Sequence, residues 1–350
     1  MHGSLLARLS ASLLRGSLKL PRALGRSPAT LEHPQTGAVL DRDTAAYFAL
    51  LRASGMVKLD RMPLLQLRQS YRLSGFVMDV PPLPLAAVED REIPGPGGYR
   101  VPVRVYTPEF NVGTLPILVY LHGGGFIMGD LDSHDGACRR LAKGARCVVV
   151  AVDYRLAPEH PFPAAVEDAY AAFHWIREHA AAFGGSPERV AIGGDSAGGN
   201  LSLVTSLRSR DAGMPMPILQ LLIYPGADMT GSCPSRKLRE LEFYLTPQTM
   251  ERFTTSYVPR GHDLRDPEVS PLFAESMRGL PRTRIVLAGF DPLRDEGLRV
   301  RERLEREGVD VVLTEEGALI HGFLTMGGVL PNAAQALERV VVELQRGLAG

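Results

Sequence analysis

Three side chains lying far apart in the chain have the types that acyl transfer needs: Ser196, Asp291 and His321. Ser196 sits in Gly194-Asp195-Ser196-Ala197-Gly198, a G-x-S-x-G pattern. Small residues around such a serine permit a sharp, strained backbone that lifts the hydroxyl clear of a strand–helix junction, with the positive end of the helix aimed at it. A glycine-rich turn with an ordinary serine writes the same letters, so the surroundings must decide. A hydroxyl is a poor nucleophile at neutral pH and needs a base, which in turn needs a group to fix its tautomer. His321, in Ile320-His321-Gly322-Phe323, is the candidate base, and Asp291, followed by Pro292, the candidate orienting carboxylate. Each has a plainer reading alone, Asp291 as a helix N-cap and His321 as a satisfied loop histidine. Asp295 and Glu296 are rival acids; Asp291 is preferred as nearest the end of a strand, which leaves the later pair as first-turn helix acids.

A second motif supplies what a serine alone lacks. His122-Gly123-Gly124-Gly125-Phe126 follows an apolar run, Pro116–Leu121. Consecutive glycines after a strand present bare backbone N–H groups, which a carbonyl oxygen can approach. With the N–H of Ala197, those of Gly124 and Gly125 make an oxyanion hole. His122 precedes the glycines and is expected to brace the loop from beneath rather than act as a base.

The elements that must position these residues follow from the pattern. Strands are expected at Glu89–Ile93, Arg100–Thr107, Pro116–Leu121, Cys147–Val152, Val190–Ile192, Leu219–Tyr224, Arg284–Leu287 and Val309–Thr314. Several are unbroken Val/Ile/Leu runs, as in a sheet covered on both faces. Helical patterns lie between or after them at Ser133–Lys143, Ala165–Phe183, Ala197–Arg210, Glu296–Glu307 and Pro331–Leu348. The expected class is α/β: a mostly parallel eight-stranded sheet with helices on both faces and a helical cap. Asp41–Ser54 and Leu64–Gly75 read as helices before the first strand. The prolines at 81, 82 and 84 place a boundary near residue 85, with an N-terminal extension and cap over 1–85 and a catalytic domain over 86–350. The segment 226–275 interrupts the alternation and reads as a cap insertion. All four chemical pieces then fall at the carboxyl ends of strands. The cap makes Phe48, Leu51 and the stretch Glu242–Tyr257 the expected lining of the acyl and alcohol pockets. Phe48, Phe126 and Asp195 are assigned to substrate binding.

Composition narrows the class of function. The chain has 350 residues, enough for a large core, and Lys+Arg 39 balance Asp+Glu 39, so nothing points to nucleic acid as a partner. Three cysteines without a C-x-x-C pair suit a reducing compartment, and a cytoplasmic location is expected. The nine histidines are scattered with no H-E-x-x-H, and neither glycine motif is a phosphate loop, so no metal and no cofactor are expected. No run is long and apolar enough to span a membrane. Met1–Pro28 is basic and has no acid, with Leu5, Leu6, Leu9, Leu13 and Leu14 on a helical stripe. Arg8 and Arg15 interrupt the run a secretory signal would need; a transit peptide, a membrane-surface helix and a loosely docked extension stay open.

Taken together, His122–Phe126, Asp153–Pro163, Gly194–Gly199, Asp291–Gly297 and His321–Phe323 resemble the hormone-sensitive-lipase family of α/β-hydrolases, the bacterial esterases with a GDSAGG elbow. The resemblance runs from about Ala38 to the end; the basic stretch before Pro28 departs from it. It implies an α/β-hydrolase fold and hydrolysis of short- to medium-chain carboxylic esters, with no cofactor, a small-molecule ester as partner and a homodimer. It gives Asp153–Pro163 a bracing role. An amidase or deacetylase on the same triad is the neighbouring alternative, as is a receptor-like homologue that binds without turnover; relatives of that kind lack the histidine that stands here as His321.

Overall fold

The computed structural model describes residues 30–54, 59–109, 113–238, 243 and 245–349. The stretch Met1–Pro28 and, of the expected cap lining, Glu242 and Tyr244 fall outside the described residues. Eight strands form one sheet: β1 (Ala87–Pro94), β2 (Arg100–Thr107), β3 (Leu115–Leu121), β4 (Val148–Val152), β5 (Gly185–Asp195), β6 (Leu219–Ile223), β7 (Arg282–Phe290) and β8 (Val311–Ile320). Their order is β1-β2-β4-β3-β5-β6-β7-β8. β2 is antiparallel to β1 and β4, and every other neighbour pair is parallel.

The unbroken apolar runs are explained by burial on two faces. In β3, Leu118 and Tyr120 enter one core while Ile117, Val119 and Leu121 enter the other. In β4, Val149 and Ala151 join the first core and Val148, Val150 and Val152 the second. Alternate side chains of a strand point to opposite faces, so a strand covered on both sides has no polar positions to spare.

Helices α1 (Arg42–Ser54), α2 (Leu64–Met78), α3 (Asp135–Ala145), α4 (Ala164–Glu178), α5 (Ala197–Asp211), α6 (Pro247–Tyr257), α7 (Arg294–Arg306) and α8 (Pro331–Ala349) surround the sheet. α3 buries Ala137, Cys138, Leu141, Ala142 and Ala145, and α8 buries Ala333, Ala336, Leu337, Val340, Val341 and Leu344, both at helical spacing, in the first core. α4 and the inner side of α5 fill the second. The outgoing connections of neighbouring strands β3 and β5 run in opposite directions across the sheet. That reversal opens a crevice at their carboxyl ends, where ligands bind in sheets of this kind.

The N-terminal helices and the insertion meet above this edge. Leu40, Phe48, Met78 and Val80 belong to the same core as α3 and α8. Asp41 N–H donates to Ala318 O at 2.9 Å, tying the start of α1 to β8. Arg68 of α2 donates to Ile127 O (2.8 Å) and Ala157 O (3.0 Å). Arg252 of α6 donates to Leu59 O (2.6 Å) and Met62 O (2.7 Å), joining the insertion to the segment before α2.

Several boundaries differ from the pattern reading. β8 runs on to Ile320 instead of stopping at Thr314, because Glu315 and Glu316 are strand residues whose charge is answered across the surface: Arg294 pairs with Glu315 at 2.8 Å and Arg339 with Glu316 at 2.6 Å. The helix expected to reach Phe183 ends at Glu178. A 3₁₀ turn, Ala180–Phe183, and Gly184 at φ +73° then swing the chain into β5. β5 extends three residues beyond Ile192, so the nucleophile motif starts inside the strand.

Candidate active site

Ser196 occupies the first position after β5 with φ +54° and ψ −113°, a region costly for a residue with a Cβ. Three backbone bonds hold it there. Its N–H donates to Ile223 O (2.9 Å), and its carbonyl accepts from Asn200 N–H (3.0 Å) and Gly226 N–H (3.2 Å). Asn200 is fully buried and its amide donates to Gly226 O and Val269 O, so the turn is clamped on both sides. Gly198 is needed for closeness: a Cβ there would be driven into the carbonyl oxygen of Leu121, the last residue of β3.

The end of β8 and the end of β7 bring the other two groups to this turn. His321 Nε2 lies 2.9 Å from Ser196 Oγ, and His321 Nδ1 lies 2.7 Å from Asp291 Oδ2. Asp291 is fully buried, and its second oxygen accepts the Leu293 N–H at 2.7 Å. One carboxylate therefore serves the imidazole with one oxygen and shapes the turn into α7 with the other. The Tyr224 ring lies 4.6 Å from that of His321 and closes its inner side. Ser196 itself stays partly exposed.

The glycine loop after β3 faces the same point. Gly124 has φ +129°, and its carbonyl turns away to accept from Ile127 N–H (3.2 Å) and Met128 N–H (3.1 Å). Among the described residues the N–H groups of Gly124, Gly125 and Ala197 have no acceptor. Ala197 N–H belongs to the first turn of α5, where donors lack partners within the helix. Three unpaired donors and a hydroxyl with its base at one strand edge are equipped to receive a carbonyl whose oxygen becomes negative. His122 braces the loop from below. It is buried, contacts Gly123 O through Nδ1 at 2.8 Å, and stacks on Tyr154 at 4.3 Å, while the Tyr154 hydroxyl donates to its carbonyl.

The three residues assigned to substrate binding are placed elsewhere. Asp195 is only 3% exposed, and its carboxylate turns under the glycine loop, where Oδ1 accepts from Tyr120 Oη–H (2.6 Å) and Gly123 N–H (2.9 Å). A side chain one residue before Ser196 still belongs to the strand, and alternation sends it into the sheet. Phe126 stacks on Tyr257 at 3.8 Å and is buried; it fastens α6 to the loop. Phe48 is buried too, edge-on to Tyr47 and to Phe243 of the insertion. Asp295 and Glu296 are first-turn acids of α7, as expected, and both are also tied to the insertion. Asp295 accepts Ser235 N–H at 2.8 Å. Glu296 is fully buried, pairs with Arg236 at 2.6 Å and accepts the N–H groups of Ala227 and Asp228, fixing the insertion's first loop beside Gly226.

Sequence reasoning missed Arg236, and it covered Phe253 only as one residue of the stretch Glu242–Tyr257. Arg236 is 12% exposed, and nothing in its local pattern marks it as the partner of a buried acid sixty residues on. The Phe253 ring lies directly over the Cα of Gly125, within reach of whatever the loop binds; an aromatic on the inner face of an amphipathic cap helix was the available signal. No group of three or more metal-ligating side chains occurs among the described residues, and no helix among them is long and apolar enough to cross a membrane.

Known proteins resemble this chain in sequence and in fold. The family described as alpha/beta hydrolase fold matches residues 118–325. The carboxylic ester hydrolase LipN of Mycobacterium tuberculosis is 47% identical over 268 residues, covering 75% of this chain and 71% of that protein. The carboxylesterase NlhH of the same organism is 38% identical over 323 residues, covering 91% and 98%. Among solved structures, the hyperthermophilic esterase of the archaeon Pyrobaculum calidifontis superposes with a TM-score of 0.82 at 37% identity, covering 88% of this chain and 98% of that one.

Proposed function

The chain belongs to the α/β-hydrolase fold family, in its hormone-sensitive-lipase-like branch, and from that premise we propose that it is a carboxylic ester hydrolase working through Ser196, His321 and Asp291. The observation that carries the proposal is the unbroken hydrogen-bonded chain from Ser196 Oγ through both ring nitrogens of His321 to a buried carboxylate. The names of the three proteins compared above, each an esterase or ester hydrolase, support the same reading.

In this reading Ser196 Oγ attacks the ester carbonyl carbon as its proton passes to His321 Nε2. Asp291 keeps the Nδ1 hydrogen in place and stabilises the imidazolium that forms. The carbonyl oxygen gains negative charge and is met by the N–H groups of Gly124, Gly125 and Ala197. The tetrahedral species collapses: the bond to the alcohol oxygen breaks, His321 gives that oxygen the proton, and the acyl group stays on Ser196. Water then repeats the sequence and frees the acid. No step calls on a metal or cofactor.

The substrates proposed are short- to medium-chain acyl esters, received under a cap formed by the N-terminal helices and the insertion. Phe253 over Gly125 supports a confined acyl site. The three cysteines are free and buried, which suits a reducing compartment. A series of p-nitrophenyl esters from acetate to palmitate, run with the Ser196→Ala protein as control, tests the function. Turnover peaking between butyrate and octanoate and lost in the variant is expected. Turnover that survives Ser196→Ala refutes the mechanism, and a palmitate optimum refutes the substrate range.

A further inference from the structure

A second carboxylate–imidazole contact lies beneath the glycine loop, and the mechanism above does not use it. Asp195 Oδ1 accepts from Tyr120 Oη–H at 2.6 Å and from Gly123 N–H at 2.9 Å, and His134 Nε2 stands 3.3 Å from the same oxygen. The His134 contact is close but does not meet hydrogen-bond geometry, so it packs the ring edge against the carboxylate. Both side chains are almost wholly buried, His134 at 1% and Asp195 at 3% exposed. Burial pushes the Asp195 carboxyl up, but His134, Tyr120 and the Gly123 N–H more than reverse this and hold it below the usual carboxylate range.

The position matters more than the charge. Asp195 precedes Ser196, so its backbone belongs to the nucleophile turn, while its carboxylate grips the residue before Gly124. A Cβ on Gly123 would overlap that carboxylate, so the loop rests directly on it. One side chain thus connects the backbone that carries the nucleophile to the backbone that carries the oxyanion donors. His134 is fixed in turn: Nδ1 is 2.9 Å from Ser133 Oγ, and Ser133 is bonded to Asp130 through Oγ and N–H. Asp130 is the acid that Arg72 of α2 pairs with.

We propose that Asp195 and His134 are positioning residues for ester hydrolysis: Asp195 sets the distance between Ser196 and the Gly123–Gly125 loop, and His134 holds Asp195 in place. This rests on the hydrolase reading above and deepens it. Neither residue touches the substrate. Both act on the aim of the Gly124 and Gly125 N–H groups, which matters most when the carbonyl oxygen is negative.

The test uses the full chain with Asp195→Ala, Asp195→Asn and His134→Gln, assayed on p-nitrophenyl butyrate. Affinity for an alkyl trifluoromethyl ketone is measured beside it. The ketone carbon bonds to Ser196 Oγ, the serine proton moves to His321, and the resulting hemiketal oxyanion lies in the hole, so its Kd reads the hole directly. Asp195→Ala is expected to lower kcat about 100-fold with KM within about twofold, and to weaken the ketone by a similar factor. Asp195→Asn keeps an acceptor oxygen for Gly123 N–H and is expected to recover about tenfold of that loss, with His134→Gln between the two. Wild-type kcat and ketone affinity in Asp195→Ala overturn the proposal, as does a loss that falls on KM alone. Should Asp195→Ala fail to fold, Asp195→Asn and His134→Gln decide by the same split: a fall in kcat and ketone affinity of at least about threefold supports the proposal, and a smaller one overturns it. Wild-type protein that hydrolyses no ester would instead sink the hydrolase reading, so the two failures are told apart.

Discussion

Ser196 is held strained, and its hydroxyl has one partner suited to take its proton. His321 in turn depends on Asp291 for its tautomer, so the three act as a unit rather than as additive contributors. Ser196→Ala and His321→Ala are each expected to lower kcat by about 10⁴-fold or more, and the double variant to be scarcely slower than either single one. Initial rates on p-nitrophenyl butyrate check this; losses that multiply would mean the two residues work independently. These residues were legible because chemistry restricts their types and because each ends a recognisable apolar run. Asp195 and Phe126 lie in motifs and Phe48 in an apolar cap helix, and neither circumstance says which way a side chain points; all three point inward. Asp195 is still in the strand, Phe126 turns onto Tyr257 and Phe48 onto Phe243.

At the scale of elements, the seams between helices carry groups whose ionisation affects stability. Asp79 caps the end of α2 and lies against the first turn of α3, where a Cβ on Gly136 would strike its carboxylate. Burial pushes its pKa up to about 7, against lowering by the N–H groups of Val80 and Ala137; Asp135 raises it further and Arg140 lowers it. The sign follows from proton counting. The native state keeps this proton to a higher pH than the unfolded chain, so raising the pH from about 4 to about 7 lowers stability, at about 1.4 kcal/mol per pH unit at most. Asp79→Asn is expected to melt higher than wild type at pH 8 and to lose most of that advantage at pH 4. Melting temperatures of both proteins across this range check it, and equal pH profiles would show that Asp79 titrates normally. Element boundaries were the least legible feature. β8 hid two glutamates whose partners, Arg294 and Arg339, lie on helices, and α4 stopped short of the apolar residues that continue its pattern. Both outcomes depend on tertiary partners that no local window contains.

For the molecule as a whole, the reversal of strand order between β3 and β5 is what lets residues from four strand ends meet. Alternating apolar strands and amphipathic helices made the parallel sheet legible, and the order of the pieces along the chain made the edge legible. Strand order, the pairing of β2 with β4, and the joining of the insertion to the N-terminal helices through Arg252 were not, because each is a contact between segments distant in sequence. In the proposed mechanism one serine, and only that one, is activated at this edge. Incubation with a fluorophosphonate followed by peptide mass spectrometry measures it directly. A single adduct on the peptide carrying Ser196, absent from Ser196→Ala and slowed by His321→Ala, is expected. An unmodified Ser196 in protein that still hydrolyses esters would contradict it.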